Sequence, residues 1–108
     1  MSSNTIARAI ELAETIRETA RRRPFEKALQ DFIHLLAEVP YLAARDLSAA
    51  EVGVLRAIAE SVIDRVEQRI AGDDDATSVQ LKLAGSIYEI RRRLENIDQW
   101  SRHFFVKQ

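Results

Sequence analysis

A chain of 108 residues supplies one domain with a single core, and its 16 basic and 17 acidic residues leave a net charge of −1, which excludes a global field drawing the protein onto DNA, RNA or anionic lipid. The absence of cysteine excludes disulfides and thiolate catalysis and removes the sulfur ligands that most structural zinc sites use. With 46% hydrophobic residues but only three glycines and two prolines, turns are scarce and elements must be few and long, so the expected fold is all-α, a four-helix bundle over residues 1–108.

The first segment, Asn4 to about Arg23, places Ile6, Ile10, Ala13, Ile16 and Ala20 on one side of a helix, with Arg8, Glu11, Glu14 and Glu18 largely on the other. Its alanines offer little area, so it is expected to be the thinnest and most partner-dependent element. Glu11 and Glu14 interrupt the apolar stretch, which argues against a signal peptide. No segment carries the roughly 20 apolar residues that span a bilayer. A cytoplasmic protein without membrane contact is the expectation.

Pro24 disfavours helical geometry at the preceding residue and suits the first turn of a new helix, so a break or sharp kink is expected there. The second segment, Pro24 to Glu38, carries Phe25, Leu29, Phe32, Ile33, Leu35, Leu36 and Val39, a broad surface that should be the most buried. Pro40 is expected to end it, and Tyr41 and Leu42 to pack back onto the bundle.

Leu47-Ser48-Ala49-Ala50-Glu51-Val52 reads as a capping box with a hydrophobic staple, which starts a helix at position 48. The third segment, Ala49 to Ala71, then repeats Val52, Leu55, Ala59, Val62 and Val66 at bundle spacing. Gly72 supplies a stop, and Asp73, Asp74 and Asp75 lie where the next helix presents its positive end. Thr77 to Gln80 offers a second capping box. From there Leu83, Ile87, Ile90, Leu94, Ile97, Ser101 and Phe104 form a stripe on a helix of about 30 residues, roughly 45 Å long, antiparallel to the third. A helix of that length exceeds what the second can cover, so the first and third helices or a second copy of the chain must cover the rest.

No catalytic motif, phosphate loop or nucleophile turn occurs, and neither an enzyme nor a cofactor is expected. Asp31, His34 and Glu38 share a helix face and form a metal or small-ligand alternative, but di-iron bundles need Glu-x-x-His on each of two helices and only one Asp-x-x-His occurs. The rows Glu60, Asp64, Glu67 and Glu95, Asp98, Arg102 read as solvated faces.

Arginine outnumbers lysine thirteen to three, and two triplets, Arg21, Arg22, Arg23 and Arg91, Arg92, Arg93, make up the phosphate-binding alternative of a nucleic-acid accessory protein. Consecutive residues diverge by about 100° on a helix, so neither triplet forms a one-sided stripe. The first also reads as the end of a helix, where cations suit the dipole for structural reasons. The favoured contact surface is the tail: Trp100, Phe104, Phe105 and Arg102, with Ile6 and Ile10 of the first helix, are the residue types and faces of an interface. The leading expectation is a non-enzymatic interaction or assembly module, a homo-oligomer with the capacity for a further protein partner.

Overall fold

The computed structural model describes residues 3–42, 47–72 and 77–106, apart from the side chains of residues 3, 42, 77–79 and 103–106. Four helices account for these residues: α1 (Ser3–Glu18), α2 (Arg22–Leu42), α3 (Ala49–Ala71) and α4 (Thr77–Val106). The expected all-α four-helix bundle is the observed fold.

The local rules act most plainly at the start of α3. Ser48 has extended backbone (φ −79°, ψ 166°), its Oγ accepts the Glu51 N–H at 3.2 Å, and Glu51 Oε1 accepts the Ser48 N–H at 3.1 Å. Leu47 and Val52, the staple pair, are both buried. Removing the hydroxyl leaves an orphan amide at the first turn, so Ser48→Ala should cost about 1 kcal/mol in urea unfolding. At the other end Gly72 closes α3 by donating to Gln68 O with φ −87°, an ordinary right-handed conformation that does not require glycine. The predicted aspartate run, 73–75, lies outside the described residues. Thr77 stands inside α4 as its first residue, and the Gln80 amide donates to Ile70 O at 3.3 Å, pinning the start of α4 to the end of α3.

The first two helices separate beside Pro24, as expected, although not at the residue itself, while Pro40 departs from the expectation. The break between the first two helices falls over residues 19–21, before Pro24, and α1 ends at Glu18 rather than near Arg23. Pro24 lies inside the first turn of α2, where its N–H would have had no partner within the helix, so the ring removes no bond there. The Phe25 N–H, donating to Arg21 O at 3.1 Å, is the first bond of the new helix. Pro40 does not end α2 either; it sits within the last turn, and the helix runs to Leu42. The chain needs no left-handed residue to make these turns, since none of the described residues has positive φ.

Among the described residues α1 packs on α2 and α3, and α4 packs on the same two helices from the other side. The helices therefore run α1, α2, α4, α3 around the bundle, with α2 and α3 on a diagonal. Directions follow from the cross-links. Ile70 with Gln80 and Arg56 with Asp98 set α3 and α4 antiparallel, as expected. Arg17 with Arg65, and Thr19 with Arg69, set α1 parallel to α3, and Glu26 beside Lys82 aligns the starts of α2 and α4. The long fourth helix is thus covered by α2 and α3, without help from α1.

The core fills the space between the helices: Phe25, Leu29, Phe32 and Leu36 from α2, Leu55, Val62, Ile63 and Val66 from α3, and Ile90 from α4 are buried throughout. The stripes read for the second, third and fourth segments supply most of it. The first helix departs from its predicted face. Ala9, Leu12 and Ile16 are buried, Ile6 and Ala13 are partly buried, Ala20 is exposed, and Ile10 is 43% exposed at the rim. Ile10 is one position, about 100° of helix, from Ala9 and so lies off the buried stripe of Ala9, Leu12 and Ile16.

Candidate interaction surface

The side chains that could contact another molecule are those the core leaves out. Tyr41 is 84% exposed, correcting the expectation that it packs back onto the bundle; Leu42 has no described side chain. On α4, Leu81 is 68% and Tyr88 64% exposed. These two are seven residues apart, and each precedes a core residue, Leu83 or Ile90, by two positions. Two positions are about 200° of helix, so Leu81 and Tyr88 share the face opposite the core stripe, with exposed Ala84 and Gly85 between them.

Among the described residues, two grooves stand out between neighbouring helices. One, of about 390 Å³, runs between the C-terminal turns of α2 and the later part of α4; Leu36, Ala37 and Pro40 form one wall, Arg93, Asn96, Gln99 and Trp100 the other, and Tyr41 stands at its lip. The second, of about 330 Å³, lies between α1 and α3, with Ile10, Ala13 and Ile58 below a rim of Glu14, Arg17, Asp64 and Arg65. Arg65 Nε donates across it to Arg17 O at 3.2 Å.

Of the predicted contact residues, Trp100 is half-buried, packs against the core and lines the α2/α4 groove. Arg102 is exposed, Ile6 packs against the core, and Ile10 lines the α1/α3 groove. Phe104 and Phe105 are in α4, but their side chains lie outside the described residues. The predicted set is therefore divided, with Trp100 and Ile10 in separate grooves. Tyr41 was expected to pack inward, and Leu81 and Tyr88 were not singled out beforehand, although their seven-residue spacing off the core stripe was a legible signal.

The arginine triplets take different settings. Arg21, Arg22 and Arg23 are exposed and introduce α2 rather than closing a helix, so they face the positive end of the helix dipole, contrary to the reading of that triplet as a helix end. Glu26 relieves this: its carboxylate accepts from Arg22 Nε at 3.2 Å and lies 3.5 Å from Lys82 Nζ. Arg93 pairs with Glu89 at 3.6 Å, while Arg91 lines a shallow depression with Arg56, Glu60 and Glu95. Acidic neighbours thus accompany both triplets, and no contact joins them into one surface.

Partial burial pushes the Glu26 carboxyl upward, but the Arg22 hydrogen bond and the charges of Lys82 and Arg22 outweigh it, so Glu26 titrates below its ordinary value of 4.5. A carboxyl lowered in the folded state contributes stability that is complete above its unfolded pKa and is lost as pH falls through the folded one. Glu26→Gln should therefore flatten the pH dependence of stability below about pH 4.5 in acid unfolding curves, with the slope near pH 7 unaltered.

Asp31 is drawn to Lys27 at 3.4 Å, while His34 and Glu38 are exposed. Among the described residues no three His, Cys, Asp or Glu side chains are grouped to hold a metal ion, and no helix is long and apolar enough to cross a membrane. No protein-family model, curated protein or solved structure matches the chain.

Proposed function

We propose that the protein is a non-enzymatic, self-associating interaction module that works in the cytoplasm. The observation that carries this reading is the exposure of Tyr41, Leu81 and Tyr88 outside a core that closes without them. Large apolar and aromatic side chains that the core does not use contribute to binding when a partner removes them from water, and tyrosine is enriched among residues that dominate such contacts. The side chains of α4 support the same reading, because its face opposite the core stripe is apolar over Leu81, Ala84, Gly85 and Tyr88 and meets neither α2 nor α3.

Small-angle X-ray scattering tests the reading. A single chain has a Cα radius of gyration of 14.4 Å, to which side chains and hydration add, and self-association predicts a measured radius that climbs with protein concentration above the single-chain value. A radius that stays at the single-chain value across the series would contradict it.

A further inference from the structure

We infer that α1 is a hinged strap, opening as one unit about residues 19–21 while α2, α3 and α4 stay packed, and that Arg65 and Arg69 of α3 are the latch that holds it shut. Arg65 Nε donates to Arg17 O at 3.2 Å, and Arg69 donates to Thr19 O at 3.2 Å and to Ala20 O at 2.7 Å. The two arginines are four residues apart, which places them one turn apart on the same side of α3. Arg17 O is among the last carbonyls of α1, which the helix itself leaves without a donor, and Thr19 and Ala20 lie in the break that follows. The end of α1 is therefore capped from another helix.

The packing makes α1 the separable element. Among the described residues it meets α2 and α3 but not α4, and α4 joins α2 to α3 on the opposite side, so the other three helices stay connected without it. Its buried side chains are Ala9, Leu12 and Ile16, a small set beside the Phe25, Leu29, Phe32, Ile33, Leu36 and Val39 of α2. Apolar area sets the cost of undocking, so releasing α1 is the least costly way to open this core. A free helix of 16 residues is marginal in water, so an undocked α1 also loses its helix, and docking and folding are one event. Opening breaks the three latch bonds and brings to solvent the faces of α2 and α3 that α1 covers. The strap is independent of self-association and lies away from the exposed face of α4.

Hydrogen exchange read by mass spectrometry in wild type, Arg65→Ala and Trp100→Ala tests the strap and the latch separately. Arg65→Ala removes the bond to Arg17 O, whereas Trp100→Ala loosens the α2/α4 side of the bundle, away from α1. In wild type the α1 amides should exchange together, at least about tenfold faster than the slowest amides of α2, α3 and α4, and with a weaker urea dependence because less surface is exposed. Arg65→Ala should speed α1 about tenfold. Trp100→Ala should speed the slowest amides of α2 and α4 about tenfold and leave α1 at its wild-type rate. Wild-type α1 amides as slow as the rest, or an α1 accelerated by Trp100→Ala as much as its neighbours, would mean that the bundle opens in one piece and would overturn the strap. An α1 rate unmoved in Arg65→Ala would overturn the latch.

Discussion

Arg69→Ala should destabilise the bundle by about 3 kcal/mol, with the loss centred on α1, a large effect for a residue that is only half-buried. Its guanidinium donates Nη1 to Thr19 O at 3.2 Å and Nη2 to Ala20 O at 2.7 Å, and it lies 4.4 Å from the centroid of the buried Phe25 ring. Thr19 and Ala20 lie in the break between α1 and α2, so Arg69 ties that corner to α3 through both carbonyls. A charged donor to a carbonyl contributes roughly 1.5 to 3 kcal/mol and a cation over an aromatic face about 0.5 to 2 kcal/mol, with partial exposure reducing both. Lysine keeps the charge but loses the planar fork that reaches two carbonyls, so Arg69→Lys should recover less than half of the loss. Urea unfolding measures both variants. A change below about 0.5 kcal/mol in Arg69→Ala would mean that the α1/α2 corner holds without this clamp.

Phe32→Ala should cost still more, about 3 to 5 kcal/mol, and leave the chain close to unfolding. Phe32 is fully buried on α2 in line with Leu29 and Leu36, and α2 touches both α1 and α4, so the cavity opens where three helices share the core. The removed ring loses its transfer energy, and the helices around it relax only partly into the void. The contrast with Tyr41→Ala is instructive: both remove an aromatic ring from α2, yet the second removes one that is already in water and should leave Tm unaltered. Thermal melts of the two variants side by side test whether the line between core and surface on α2 has been drawn correctly.

What was legible in the sequence was whatever a few neighbouring residues decide. Ser48 and Glu51 form a closed pair of hydrogen bonds three residues apart, so the start of α3 could be placed to the residue. The stripes of α2, α3 and α4 were equally readable, because their large apolar residues at core spacing are mostly buried. The failures share a different cause. Pro24 was given the break itself, whereas α1 already ends at Glu18, and the residue that ties down the Ala20 carbonyl in that break, Arg69, is 49 positions further along the chain. The same misplacement made the arginine triplet a helix end instead of a helix start. Ile10 was assigned to the buried face because spacing groups it with Ile6 and Ala13, whereas burial is deepest along Ala9, Leu12 and Ile16. Tyr41 was packed inward on apolar character alone, although Pro40 before it leaves the chain helical and the ring outside. The candidate site was the least readable feature of all: Trp100 was recognised by residue type, but the groove it lines exists only because the ends of α2 and α4 run side by side.

Self-association is tested most directly by the absolute mass of the purified chain, measured by light scattering across a dilution series. An associating chain moves from the 12.3 kDa monomer towards a multiple of that mass as concentration rises. A mass fixed at 12.3 kDa at every concentration would contradict it.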